Sequence, residues 1–508
     1  MRAVLALFAL LAACGTSAPP LESPGGPGGE PGKDKEGQAA APAAPAAAAS
    51  APASAPTPIA DRYREVAAKI IAAAEADEGA WQKLSYLTDH IGNRISGSRS
   101  LDKAIEWAAA TMKADGHEEV RTEKVMVTHW VRGEESAALV APVERPIALI
   151  GLGGSGSTPG KGVVADVVVV KDFDELDRLG SQGQVKGKIV LFDTPMGPYS
   201  PEKGPGYGQA VEFRTRGPAR AAALGARAAL VRSLTSHSLR TPHTGATRFE
   251  DQKPIPCASV TVEDSELIAR LAASGERVRV KLLMKSRMLP DAPSANVLAE
   301  LRGREKPDEI VLIGGHIDSW DVGQGAHDDG VGIVMSMQAL TLLRKLGLHP
   351  RRTIRAVLFT NEENGLGGAR QYAADHAAEL SKHVMALEAD SGAFQPRGFD
   401  VQAGAPTVRQ LTDAASLLRP IDGQRIEASG HAGSDIGPLA AAGVPLLGLM
   451  MDDRHYFDYH HTEADTLDKV DPHDLARDVA AVAVLAYVVA DMPERLVASP
   501  PEAEVPRR

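Results

Sequence analysis

Cysteine is almost absent: 508 residues contain two, Cys14 and Cys257. Cys14 closes an apolar leader, so one thiol is left for the folded part and no intramolecular disulfide framework can form. Aromatic residues are also sparse, at 4%. Positive charge is in deficit, since 55 Lys and Arg against 66 Asp and Glu leave a net charge of −11. Without basic clusters this balance offers nucleic acid no electrostatic footprint. After residue 14 no run is long and apolar enough to span a bilayer as a helix. The length excludes a single small module and favours two or three domains, at least one large enough to bury a continuous sheet.

The ends carry their own signals. Met1-Arg2 followed by the apolar run Ala3 to Ala13 has the charged start and short hydrophobic stretch of a secretory signal. Leu11-Ala12-Ala13-Cys14 resembles the bacterial lipobox, in which the Cys becomes the first mature residue and carries the lipid. The expectation is an exported bacterial protein, anchored to a membrane through Cys14 alone. Gly15, where Asp would direct retention in the inner membrane, points to the outer one. Residues 15–58 are nearly all Gly, Pro, Ala and Ser, a composition that cannot bury enough apolar surface to offset chain entropy, and read as a tether. Residues 496–508 read as a tail.

From Asp61 to about Gly116 the pattern is helical, with Tyr63, Val66, Ile70 and Ile71 on one face. Between 136 and 290 the texture changes to short β-branched runs such as Val163 to Val170 and Lys188 to Phe192, broken by Gly and Pro and by one helix over Gly217 to Leu224. This stretch reads as a β-rich insert. After Pro293 apolar strands alternate with helices, which implies an α/β domain, formed by residues 59–135 and 291–495, with a mostly parallel sheet covered by helices on both faces. Sites in such sheets form beyond the carboxyl ends of the strands. Gly151-Leu152-Gly153-Gly154-Ser155-Gly156 matches a dinucleotide-binding pattern on paper, but it precedes a β-like run and lacks the helix whose N-terminus would hold a pyrophosphate.

The strand ends are where the metal-binding residue types collect. His316 and Asp318 follow the run ending at Ile313, Glu362 and Glu363 the one ending at Phe359, and Asp390 the one ending at Leu387. His460-His461 lies a short loop beyond Pro445 to Met450. Zinc takes neutral imidazole and carboxylate oxygen, and a two-zinc hydrolytic site needs one ligand that bridges both ions. Gly325-Ala326-His327-Asp328-Asp329-Gly330, at the mouth of the long helix, offers carboxylates for that role. Of the adjacent Glu362 and Glu363, one suits a ligand and the other a base.

His316-Ile317-Asp318-Ser319, Ala326-His327-Asp328-Asp329-Gly330, Asn361-Glu362-Glu363, Glu388-Ala389-Asp390 and His461-Thr462-Glu463-Ala464-Asp465-Thr466 resemble, in order and spacing, the co-catalytic zinc peptidase family that includes bacterial leucine aminopeptidases and glutamate carboxypeptidase II. The run from Gly314 to Gly325 is most like its plasma glutamate carboxypeptidase branch. The resemblance covers about residues 60–490. It implies two Zn2+ per chain, one on His316, Asp328 and Asp390, the other on Glu363, His461 and the shared Asp328. Asp318 would orient His316 and Glu362 would act as general base. It also implies that 136–290 is a protease-associated domain, with Gly225 to Val231 as its characteristic phrase. His327 stands where the family pattern has an apolar residue, and His460 is assigned to packing or substrate contact.

The resemblance implies exopeptidase action on short peptides, chiefly dipeptides with a free amino end and an uncharged side chain; the motif loops hold no Arg cluster to clamp a glutamate side chain, which argues against a strict glutamate carboxypeptidase. A homodimer is left open. Two other readings on the same scaffold are a single-zinc glutaminyl cyclase-like enzyme and a non-catalytic binding protein.

Overall fold

The apolar runs after Pro293 form the centre of an eight-stranded sheet because each is too apolar to leave either face in water. Arg352–Phe359 is buried at every position, and Lys306–His316 from Ile310 onward. The computed structural model describes residues 58–200 and 204–498; Cys14, the tether up to residue 57 and the tail from residue 499 lie outside them. In space the strands run Glu118–Val131, Arg287–Leu301, Arg352–Phe359, Lys306–His316, His383–Glu388, Leu446–Met451, Pro396–Gln402 and Arg425–Ala428. The four central strands are parallel, as expected. The flanks are mixed: Arg287–Leu301 is antiparallel to both its neighbours, and Pro396–Gln402 is antiparallel to Leu446–Met451. The outer strand Glu118–Val131 has five charged residues in its first half and only the short apolar stretch Val125-Met126-Val127, so it lacks a long apolar run to advertise it.

Ile59–Glu75, Val331–Lys345 and Pro472–Asp491 pack together over one face of the sheet. Ile59–Glu75 does so with a stripe at helical spacing, namely Ile59, Tyr63, Ala67, Ile70, Ile71 and Ala74. Pro472–Asp491 is buried nearly all round and starts on Asp471, whose side chain accepts from the His473 N–H, with Pro472 at the first helical position. The other face carries Gly367–Asp375, with Ala369 and Tyr372 against Leu298, Val357 and Phe359.

The chain leaves this sheet after Val131 and returns at Arg287, and Arg287–Leu301 passes through residue 290 without a break. Between those points lies a second eight-stranded sheet, mixed in direction, whose parallel centre is Val163–Val170, Ile189–Phe192, Ala228–Arg232 and Cys257–Val260. Alternate residues face two cores: Ile189, Leu191 and Leu230 on one side, Val190, Phe192 and Val231 on the other. Helix Gly217–Ala223 is where the sequence places it, but Phe173–Ser181, Tyr207–Thr215 and Val262–Ala273 accompany it. Two of these three had legible start signals, since Asp172 and Thr261 each cap the backbone three residues on, whereas Tyr207–Thr215 starts on Gly206 with no side-chain cap. No described helix is long and apolar enough to cross a membrane.

Candidate metal centre

The four parallel strands of the first sheet end side by side, and their following turns deliver the functional side chains to one spot. His316 is the last residue of its strand, and Asp328 sits in the bend Ala326–Gly330 that opens helix Val331–Lys345. His316 Nε2 lies 3.2 Å from Asp328 Oδ1 and 3.5 Å from Asp390 Oδ1. On the other side His461 Nε2 lies 3.1 Å from Asp328 Oδ2 and 3.1 Å from Glu363 Oε2. Asp328 thus presents one oxygen to each histidine. Tetrahedral zinc with ligands at about 2.0–2.1 Å sets its ligand atoms about 3.3 Å apart, close to these four histidine–carboxylate distances.

Each of these residues is held from behind. His316 Nδ1 is 3.0 Å from the Asp318 backbone carbonyl and 3.9 Å from the Asp318 carboxylate, so the carbonyl is the acceptor that fixes this ring. The Asp318 side chain serves the neighbouring loop, where Oδ1 accepts from the Glu362 N–H at 3.1 Å and Oδ2 from Ser96 Oγ at 3.2 Å. Asp329 accepts from the His316 and Gly332 N–H groups, which ties the strand end to the helix start. A Cβ at residue 332 would come within 1.9 Å of the Ala389 carbonyl oxygen, so only glycine allows that approach. Asp465 accepts from the His327 and Asp328 N–H groups. The buried Arg94 donates to the carbonyls of Gly92, Ile317, Gln324 and Gly325, binding the loops beneath the site into one frame. Arg94 had no motif to announce it, whereas Asp465 stood inside a quoted phrase with no role attached.

The insert reaches this centre too. The Thr244 carbonyl is 3.2 Å from His461 Nδ1, and the Thr244 N–H donates to the His461 carbonyl at 2.9 Å. Arg214 Nη1 is 3.3 Å from the same Nδ1, and Arg214 Nη2 donates to Tyr207 Oη. His461 adopts φ of 62°, a conformation rare outside glycine, within this grip.

The charge balance calls for cations. Burial raises Glu362 well above the usual carboxylate range, with Glu363, Asp390 and Asp318 adding to the effect against His316. Burial and the nearby Asp328 push Glu363 up to about 7. Burial acts on Asp328 in the same sense, but His316 and His461 beside it outweigh that and hold it well below the usual range. Glu363 Oε1 is buried with no hydrogen-bond partner among the described residues, as are both carboxylate oxygens of Asp435. Clustered carboxylates with unmet oxygens around two imidazoles fit divalent metal, and the residue types fit zinc.

The centre opens into a cavity of about 730 Å³ lined by Asp328, Glu362, Glu363, Asp390, His460 and His461, by Tyr456, Phe457 and Ser434, and by Arg214, Arg248 and Arg370. The motif loops supply none of these arginines, as expected, but the fold brings them in from elsewhere. Arg214 and Arg248 come from the insert and Arg370 from helix Gly367–Asp375. Arg248 and Arg370 are exposed and have no ion-pair partner among the described residues. The cavity therefore does offer arginine to an acidic group. His460 is buried, stacked on His461 at 3.6 Å between ring centres, and burial holds its pKa well below the ordinary imidazole value. His327 points away from the cavity. It lies near-parallel to Phe394 and Tyr459, accepts from the Ala393 N–H, and is pulled down to about 4 by burial.

Comparison with known proteins agrees with this geometry. Residues 296–486 match the model of peptidase family M28. Carboxypeptidase Q from Homo sapiens is 41% identical over 423 residues, covering 83% of this chain and 87% of that protein. Its counterpart from Mus musculus is 41% identical over 438 residues, covering 85% and 91%. A peptidase M28 precursor from Shewanella amazonensis superposes with a TM-score of 0.83 at 35% identity, covering 87% of this chain and all of the other. A zinc aminopeptidase from Bacillus subtilis, at 20% identity and a TM-score of 0.61, shares the fold. With residues 296–486 matching the family model and 35% identity to that precursor over 87% of this chain, the chain belongs to peptidase family M28.

Proposed function

We propose that the chain is a two-zinc exopeptidase acting on short peptides, with His316, Asp328 and Asp390 holding one ion and Asp328, Glu363 and His461 the other. The observation that carries this reading is the placement of the two Asp328 oxygens, each about 3 Å from a different histidine. Zinc, when bound, supplies the Lewis acidity that polarises a scissile carbonyl and makes water nucleophilic near neutral pH. Glu362 lines the cavity without facing either histidine as a ligand, a position that suits a group that takes a proton from the attacking water and returns it to the leaving amine. Asp318 fixes the Glu362 backbone, and so positions the base. Thr244 sets the His461 ring by accepting from Nδ1–H, which leaves Nε2 for metal.

The substrate class follows from the cavity walls. Carboxylates at the metal end suit a free ammonium group, and Arg248 and Arg370 suit a free α-carboxylate, so the best-matched ligand is a dipeptide with both ends unblocked. Carboxypeptidase Q and zinc aminopeptidase relatives agree with exopeptidase action. The β-rich stretch 136–290 is taken as a protease-associated domain, and Cys14 as a lipid anchor that holds the exported enzyme at a membrane through the tether. The test is a panel of unblocked dipeptides, N-acetylated dipeptides, dipeptide amides and N-terminal glutaminyl peptides, with and without chelator. Chelator-sensitive cleavage of unblocked dipeptides is expected. Preference for N-blocked acidic peptides, or cyclisation of glutaminyl peptides, overturns the reading.

A further inference from the structure

Outside the catalytic cavity, two histidines meet one carboxylate across the seam between the two sheets. His237 lies in the loop after insert strand Ala228–Arg232, while His455 and Asp458 lie in the turn and short helix that precede His461. His237 Nδ1 is 2.5 Å from Asp458 Oδ1, and His455 Nδ1 is 2.9 Å from Asp458 Oδ2. The three residues present donor atoms that all lie within 4.8 Å of one another, and they share no member with the groups built on Asp328 and His316.

We propose that His237, His455 and Asp458 form a further divalent-metal site, selective for zinc-like ions, that fastens the insert to the wall of the catalytic cavity. The Asp458 side chain is 10% exposed, and no Lys or Arg pairs with it among the described residues, so its charge lacks a permanent counter-ion. Two imidazole nitrogens with one carboxylate oxygen are a zinc-type donor set, and water completes the fourth position. The imidazoles are 46% and 57% exposed, so each can withdraw by the fraction of an ångström that a spacing of about 3.3 Å between ligand atoms requires. Exposure also gives the ion a path in and leaves it exchangeable. Tyr456 and Phe457, between the two peptidase-side ligands, line the catalytic cavity, so an ion here braces that wall.

The test compares the holoenzyme with His237→Ala and His455→Ala after dialysis against a zinc buffer at low-micromolar free Zn2+. Metal is counted by elemental analysis, and titration calorimetry with ZnCl2 gives the affinity of the last ion. Wild type is expected to carry one more ion per chain than either variant, and each variant to bind that ion at least about tenfold more weakly. Dipeptide turnover at low zinc stays unchanged, because neither histidine touches substrate or the catalytic ions. The count is a difference, so it holds whatever the occupancy of the Asp328 centre. Equal counts in wild type and both variants overturn the proposal and leave Asp458 as a hydrogen-bond acceptor between two imidazoles. A zinc-soaked crystal gives the second readout: an anomalous peak between the three side chains supports the site, and its absence at full occupancy of the Asp328 centre also overturns it.

Discussion

The two sheets are alike in strand number and in having a parallel centre, yet they contribute to the site differently. The first sheet ends its parallel strands in tight turns that hold His316, Glu363 and Asp390 within a few ångströms of one carboxylate or the other imidazole. The second sheet follows strand Ala228–Arg232 with a long loop, which carries Thr244 and Arg248 to the rim of the cavity. Metal ligands tolerate little positional error: His316, Glu363 and Asp390 sit at or just after a strand end, and the longer loops that carry Asp328 and His461 are pinned by Asp465 and Thr244. Orienting and charge-matching groups tolerate more, and a longer loop can supply them.

That division of labour can be broken from either side. The largest effect is expected from Glu362→Gln on the first sheet: kcat falls by about 10²–10⁴-fold with metal content unchanged, as read by steady-state kinetics and elemental analysis. Equal activity would remove Glu362 as the base. Asp318→Asn, which disturbs the support of the Glu362 turn, is expected to cost about 10–100-fold in kcat with a smaller change in KM. At the cavity rim, where Arg248 comes from the insert and Arg370 from helix Gly367–Asp375 of the first sheet, Arg248→Ala combined with Arg370→Ala should raise KM for unblocked dipeptides about tenfold while leaving kcat and the turnover of dipeptide amides nearly unchanged. A kcat loss instead would place these arginines in the chemistry and blur the contrast.

The smallest expected effect is on stability and concerns the first sheet alone. Asp478 is fully buried in helix Pro472–Asp491, both carboxylate oxygens lack partners among the described residues, and burial holds its pKa well above the usual range. A carboxyl whose pKa is raised on folding costs nothing below its unfolded value near about 4, and the penalty grows as pH rises above that value. Asp478→Leu should therefore add about 1–2 kcal/mol at pH 8 and no such gain at pH 3.5, measured by urea unfolding at both pH values.

The first sheet was the more legible of the two. Its four central strands announced themselves as apolar runs, and the metal-binding residue types stood directly after them, so placing His316, Glu363, Asp390 and His461 at one sheet end needed only the rule for parallel sheets. The edge strand Glu118–Val131 was hidden because its first half is crowded with charge and its apolar stretch, Val125 to Val127, is only three residues long. The contributions of Arg94, Thr244 and Arg214 were invisible for another reason. Each acts through a contact more than two hundred residues away in sequence, between residue types that occur everywhere. For Asp318 the sequence suggested the right partner histidine but not the right atom, since a backbone carbonyl leaves no mark in a pattern of side chains.

The pairing of Val131 with Arg287 has a consequence for how the molecule comes to be made. A ribosome delivers Glu118–Val131 long before its partner strand, and the whole second sheet emerges in the interval. Local βα units after Lys306 can condense as they appear, but the edge of the first sheet closes only when the ends of a loop of more than 150 residues find each other. Collapse of the second sheet brings those ends together in advance and so shortens the effective search. Deleting the insert and joining residues 131 and 287 by a short turn should speed formation of the first sheet even as it strips Thr244 from His461, so a fast-refolding chain with impaired metal retention is the expected product.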